Sequence, residues 1–167
     1  QPTDAIIVDE SRTTGATYWD CSLIAGLPFT HLTLTGGAIG SGPCLAVGAA
    51  VACPHRRVVN FQADGSALYS TPALWCMSRE GLDVTTIICK NDAYRILDVE
   101  RATQGLGSGG SQSKRLTDLS GPSIDWVSLA RGYGVQGVSV KTAVDLRMAL
   151  AESFRTPGPF LIEACLV

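Results

Sequence analysis

Apolar residues come in short unbroken runs, separated by stretches whose apolar positions recur at helical spacing or are merely small. The runs at 5–8, 57–62 and 84–89 are rich in Val, Ile and Phe and read as strands, as do 31–34, 135–140 and 159–165. Residues 43–53 are small and apolar with Pro43 in the first turn, which predicts a buried helix. Residues 71–80 predict a second helix, with Pro72 near its start and Gly81 just past its end. A third starts at 125–131, and 143–154 is amphipathic, with Val144, Leu146, Leu150 and Phe154 available for packing. Strands that are apolar throughout and alternate with helices belong to a parallel sheet covered on both faces. The expected fold is a doubly wound α/β domain with a mainly parallel sheet and helices on both faces. Residues 1–167 form a single domain without internal repeat.

The stretch 104–113 breaks the alternation. It is polar and glycine-rich and reads as a flexible loop, with 102–117 serving as a lid or a connector. Composition narrows the function classes. With 46% hydrophobic and 17% charged residues the chain is globular, and a net charge of −2 gives no electrostatic footprint for nucleic acid or an anionic membrane. Arg56-Arg57 and Lys114-Arg115 read as solvated surface, and no apolar run reaches the length of a membrane span. Six Cys without a C-x-x-C pair point to buried, reduced thiols in a cytoplasmic protein, not to zinc or a disulfide framework. A start at Gln-Pro-Thr-Asp and an end on a strand-like segment read as cut points in a longer multidomain chain.

Ligands of doubly wound sheets bind beyond the carboxyl ends of the strands. There the chain has Ala63-Asp64-Gly65-Ser66 and Lys90-Asn91-Asp92-Ala93. Either segment alone is an ordinary turn signal. Side by side at one sheet edge, Asp64 and Asn91 offer two oxygen ligands to a hard cation such as Mg²⁺. Gly65 lets the backbone approach a diphosphate. A third segment, Thr35-Gly-Gly-Ala-Ile-Gly-Ser-Gly-Pro-Cys44, opens the small-residue helix and suits a phosphate or a close backbone approach. It does not fit G-x-G-x-x-G, which disfavours a dinucleotide domain.

Together the three segments resemble the C-terminal thiamine diphosphate (ThDP)-binding domain of the acetolactate synthase, benzoylformate decarboxylase and pyruvate decarboxylase superfamily, with acetolactate synthase-like proteins nearest. The family's Gly-Asp-Gly, followed a helix and a strand later by Asn-Asn, appears here as Ala63-Asp64-Gly65 and Lys90-Asn91. The likeness continues through 66–75 and 157–163. It implies Mg²⁺ ligation by Asp64, by the side-chain amide of Asn91 and by the backbone carbonyl of Ala93. It implies diphosphate contacts from Gly65 and Ser66, with Ser11, Arg12 and Thr13 as further candidates after the first strand. Ile39 would prop the cofactor in its bent form, and the Gly37 carbonyl would accept a hydrogen bond from the 4′-amino group. Tyr94 is placed against the cofactor and, with Ile96 and Leu97, borders the substrate. The bend brings the 4′-amino group near the thiazolium C2, where proton removal readies the cofactor to attack a small 2-keto acid and to take up electrons on decarboxylation.

Two positions depart from the pattern. Ala63 is benign where φ is negative. Lys90 is expected to reach solvent or a nearby acid such as Asp92. The glutamate that protonates N1′ of the pyrimidine belongs, in the family, to a separate pyrimidine-binding domain, and Glu10, Glu80 and Glu100 sit in no such motif. The chain is therefore expected to hold no catalytic residue of its own and to be inactive in isolation. Its expected partner is that domain in the same or another subunit of a homo-oligomer. The resemblance is also compatible with an aromatic 2-keto acid (benzoylformate-type) decarboxylase, and a non-catalytic binding or assembly domain retaining the fold is a reading of another class. His31 reads as structural, His55 as a loop residue, Trp75 as core and Tyr69 as a candidate pocket residue.

Overall fold

In the computed structural model, which describes residues 1–107 and 109–166, the apolar runs become six strands. They are β1 (Ala5–Glu10), β2 (Phe29–Thr33), β3 (Val58–Ala63), β4 (Val84–Lys90), β5 (Gln136–Val140) and β6 (Phe160–Cys165). Their order in the sheet is β2-β1-β3-β4-β6-β5, and every pairing is parallel. From β1 the chain crosses to β2 on one side, and from β3 it crosses to β4 on the other. The carboxyl ends of β1 and β3, where Glu10 lies beside Gln62, thus form the point at which the winding reverses. Ala63 pairs with Cys89 across the next strand, so the ends of β3 and β4 come out level.

The connecting helices are α1 (Tyr18–Ala25), α2 (Gly42–Ala52), a one-turn α3 (Asp64–Ala67), α4 (Ala73–Arg79), α5 (Arg95–Thr103), α6 (Ser111–Thr117), α7 (Trp126–Gly132) and α8 (Ala143–Arg155). Alternation along the strands divides the core in two. Ile6, Val8, Val58, Val84 and Ile88 face Ala46 and Ala50 of α2, Leu74 and Met77 of α4, and Trp126 and Ala130 of α7. Ile7, Val59, Ile87 and Ile162 face Leu146, Leu150 and Phe154 of α8 and Tyr18 of α1. The buried residues of α2 are Gly42, Pro43, Ala46 and Ala50, so small side chains bring its axis close to the sheet. In α8, Thr142 Oγ1 accepts the Asp145 N–H at 3.1 Å and caps the helix.

Several expectations change. Val144 is 59% exposed, because Leu146, Leu150 and Phe154 form one i, i+4, i+8 stripe and position 144 lies on the opposite side. Trp75 is half exposed with the Arg79 guanidinium over its ring at 5.4 Å, since Leu74 and Met77 take the core side of α4. The stretch 102–117 is not a continuous loop: α5 and α6 enter it from both ends, and Ser108 lies outside the described residues. Helix α1 carried no signal because its single buried residue is Ser22. Arg57 is not solvated surface; it donates to the carbonyls of Thr156 (3.1 Å) and Gly158 (3.4 Å) and ties β3 to the turn before β6. All six cysteines are free, yet only Cys89 is buried, while Cys21 and Cys44 are exposed. Among the described residues no helix is long and apolar enough to cross a membrane.

Candidate functional site

Asp64 begins α3 directly after β3, following an Ala63 whose φ of −81° is ordinary extended backbone, so the missing first glycine is harmless there. The Asp64 side chain is 2% exposed and heavily used. Oδ1 accepts the Gly65 N–H at 2.8 Å, and Oδ2 accepts the N–H groups of Asn91 at 2.9 Å and Asp92 at 2.7 Å. Asp92 sits in the left-handed region at φ +52°, a conformation Asp tolerates better than most residues. A carboxylate has roughly four acceptor positions, so three bonds leave one open, on Oδ1. Burial pushes the Asp64 carboxyl above its ordinary value, the three N–H donors pull it back, and the nearby Asp92 charge adds to the rise. One carboxylate thus clamps the end of β4 to the end of β3 and keeps one lone pair unused.

Asn91 and Ala93 follow on the same turn. Asn91 Oδ1 accepts the Ala93 N–H at 3.0 Å, which orients the amide oxygen, and Ala93 bridges to Asp118. Lys90 reaches away from the site as expected: Nζ donates to Ser123 Oγ at 2.6 Å and lies 3.4 Å from Asp92 Oδ2. Among the described residues no three His, Cys, Asp or Glu side chains gather into a metal cage. The donor set around Asp64 is oxygen alone, which suits Mg²⁺ shared with a phosphate and does not suit zinc.

A small space opens beside these residues at the strand ends. It is lined by Arg12, Thr13 and Thr14 after β1, Ile39 after β2, Asp64, Gly65 and Ser66 after β3, and Asn91, Ala93, Tyr94, Arg95 and Ile96 after β4. Four separated segments that the sequence pointed to therefore meet in one place. The volume is about 40 Å³, room for little more than one water. Tyr94 forms one wall of it: its hydroxyl donates to the Gly65 carbonyl at 3.3 Å, and its ring lies flush against the glycine. A Cβ at Gly65 would stand 2.7 Å from Tyr94 Cδ1 and 3.0 Å from Cζ, with Cε1 nearer still. Arg12 holds φ +55°, a strained conformation for a residue with a side chain.

Four of the sequence candidates are placed differently. Ser11 is fully buried and does not line the space; its N–H and hydroxyl both donate to Asp9 Oδ1, at 3.0 and 2.6 Å. The Ser66 hydroxyl donates to the carbonyls of Ala63 (3.0 Å) and Glu10 (3.3 Å), so its side chain is taken up within the protein. Gly37 lies on the exposed loop before α2, at φ +73° and outside this space, whereas Ile39 of the same loop reaches it. His31 stacks on Trp19 with centroids 5.4 Å apart and stands 3.4 Å from Asp9 Oδ2, a structural place on an edge strand. Tyr69 is 65% exposed and does not line the space.

Glu10 is the residue that sequence reasoning passed over. It is 1% exposed, and its carboxylate accepts the N–H groups of Gly40 and, at 2.8 Å, Gly42. It therefore caps α2, whose own Ser41 makes no side-chain cap. This changes the reading of the glycine loop: the N-terminus of α2 is already met by a protein carboxylate and is not an open phosphate site. The available signal was the length of β1, which runs to Glu10 and carries that acid to the sheet edge.

Comparison with known proteins bears on this arrangement. The chain is 47% identical over 164 residues to the Mycobacterium tuberculosis protein named "Putative acetolactate synthase large subunit IlvX", covering 97% of this chain and 32% of that protein. It is 33% identical over 162 residues to benzoylformate decarboxylase of Pseudomonas aeruginosa, covering 97% of this chain and 29% of that protein. The solved Rhodococcus jostii RHA1 thiamine diphosphate-dependent 4-hydroxybenzoylformate decarboxylase superposes with a TM-score of 0.83 at 34% identity, over 97% of this chain and 29% of that one. The chain thus spans about a third of the length of these relatives. The family model described as "Thiamine pyrophosphate enzyme, C-terminal TPP binding domain" matches residues 18–164, so this chain belongs to the C-terminal thiamine pyrophosphate (ThDP)-binding domain family.

Proposed function

We propose that the space at the ends of β1, β3 and β4 is the diphosphate and Mg²⁺ end of a ThDP site in a 2-keto acid decarboxylase or carboligase of the acetolactate synthase kind. The carrying observation is Asp64: a buried carboxylate with one unused lone pair that lines the same space as Asn91 and Ala93. In this reading Asp64, the Asn91 amide oxygen and the Ala93 carbonyl ligate Mg²⁺. The backbone at Gly65 and Ser66, with Arg12 and Thr13, receives the diphosphate. Ile39 supports the middle of the cofactor and the Gly37 carbonyl receives the 4′-amino group. Tyr94 withdraws from Gly65 to make room. When bound, ThDP supplies the nucleophilic carbon and the electron sink. The chain's own residues bind, orient and neutralise charge; the proton at N1′ is managed by a glutamate of a pyrimidine-binding domain in the same or another subunit. The functional unit is then a cytoplasmic homo-oligomer acting on a small 2-keto acid.

The higher identity to the acetolactate synthase-named relative favours that chemistry. The benzoylformate-type alternative has its own support in the likeness to two aromatic 2-keto acid decarboxylases. Turnover of pyruvate against benzoylformate by the full-length protein separates the two. The metal assignment is tested by Asp64→Ala in the same protein, titrated calorimetrically with ThDP and Mg²⁺. Affinity falls by about a hundredfold or more, as expected when a buried ligand to a cation is lost. Unchanged affinity rules the assignment out.

A further inference from the structure

Glu10 joins the two ends of the proposed cofactor site through a single residue. Its backbone carbonyl accepts the Ser66 hydroxyl at 3.3 Å, on the diphosphate side. Its carboxylate accepts the N–H groups of Gly40 and Gly42, on the loop that carries Gly37 and Ile39. The loop is pressed onto this carboxylate. A Cβ at Gly42 would fall 2.5 Å from Glu10 Oε2 and 3.0 Å from Gln62 Cδ, with Gln62 Nε2 closer still. Gln62 is fixed in turn, donating to Asn60 Oδ1 at 2.7 Å, and Asn60 donates to Thr86 Oγ1 at 3.3 Å. Asn60 and Gln62 are fully buried, so the floor under Glu10 is a connected polar network with little freedom to move. On the far side Gly40, at φ +92°, abuts Tyr69.

We infer that Glu10 is a positioning residue that sets the height of the 34–41 loop over the sheet edge, and so the place of the Gly37 carbonyl and Ile39 relative to Asp64. This rests on the ThDP-site reading above. It acts on the pyrimidine end of the site and leaves the diphosphate end intact, because Asp64, Asn91 and Ala93 are held by bonds that do not involve the Glu10 carboxylate. Glu10→Gln keeps the shape but turns an NH₂ group toward one of the two loop N–H donors, so one donor loses its partner and is pushed away.

The test uses the full-length protein and two probes: ThDP with Mg²⁺, and inorganic diphosphate with Mg²⁺. Both are titrated into wild type, Glu10→Gln and Gly40→Ala, the last of which displaces the same loop from its other side by placing a Cβ 2.5 Å from Tyr69 Cβ. In both variants ThDP binds about tenfold or more weakly, while diphosphate stays within about threefold of wild type. A merely structural role would lower both affinities together. Equal ThDP affinity in Glu10→Gln and wild type overturns the inference, and so does a matched loss of both probes. If thermal melting shows that Glu10→Gln does not fold, Gly40→Ala decides by the same criterion. A wild type that binds neither probe refutes the site reading itself and this inference with it; a wild type that binds both, alongside unchanged variants, refutes the inference alone.

Discussion

Replacing Gly65 by Ala separates what this glycine does for the protein from what it does for a ligand. The residue is helical, with no positive φ, so its backbone does not require glycine. Alanine in a helix is favoured over glycine by about 1 kcal/mol. Against that gain stands the Tyr94 ring, which a new Cβ would meet at 2.7 Å (Cδ1) and 3.0 Å (Cζ). The ring must swing out, and its hydroxyl loses the Gly65 carbonyl, a bond worth about 1 kcal/mol. The terms nearly cancel, so the net change in stability is within about 1 kcal/mol of zero. Urea unfolding of Gly65→Ala, Tyr94→Ala and the double variant reads this directly. Once the ring is absent the alanine should stabilise, giving a coupling of about 1 kcal/mol between the positions. ThDP needs the face of Gly65 that Tyr94 now covers, and a methyl group there takes part of that face, so Gly65→Ala lowers ThDP affinity whether or not Tyr94 is present. No coupling in the cycle, or a loss of about 3 kcal/mol with the ring already removed, would refute the account of Gly65.

Two further outcomes follow from groups outside the site. Burial pushes the Cys89 thiol up to about 12, against the partial relief of a bond with Thr14. At pH 8 only about one thiol in 10⁴ is then ionised, so mass spectrometry after brief iodoacetamide treatment should find Cys21 and Cys44 modified and Cys89 intact. Early alkylation of Cys89 in the native protein would refute its suppressed ionisation, since Cys89 lines an apolar cavity of about 300 Å³ under α8. Thr142→Ala removes the cap bond to the Asp145 N–H and should cost about 1 kcal/mol in urea unfolding, with Thr142→Ser close to wild type.

The architecture was legible because its signal is local. Every expected strand formed, since β-branched runs such as Val84–Lys90 need only be buried on both faces to declare themselves. Helix α8 was equally plain, apart from Val144. What stayed hidden had no periodicity to show. Helix α1 buries a serine and presents no apolar stripe, and apolar positions of α5 such as Ile96 and Val99 are not buried under other elements. Glycines at 105, 107, 109 and 110 suggested one long loop, but Ser111-Gln-Ser-Lys-Arg-Leu-Thr117 contains no helix breaker and coils as soon as they end. Arg57 looked like surface because its carbonyl partners lie about a hundred residues away, at Thr156 and Gly158.

The site divides along the same line. Asp64 with Gly65, and Asn91 with Ala93 two residues on, lie in short segments at strand ends, so a short pattern captures them. Glu10 and Tyr94 act across 30 or so residues, on Gly40, Gly42 and Gly65, and no local pattern could connect them. That distance changes the meaning of a glycine in the motif. Gly65 was read as making room for a diphosphate, but in this structure the same face is taken by the protein's own tyrosine. Ring and ligand would compete for one surface, so the proposed ThDP affinity already includes the cost of moving Tyr94. Breaking the bond to Gly65, worth about 1 kcal/mol, accounts for about a factor of 5 of that cost. The small size of the space is therefore set by a half-buried side chain that meets Gly65 through one 3.3 Å bond, while the carboxylate beneath is held by three.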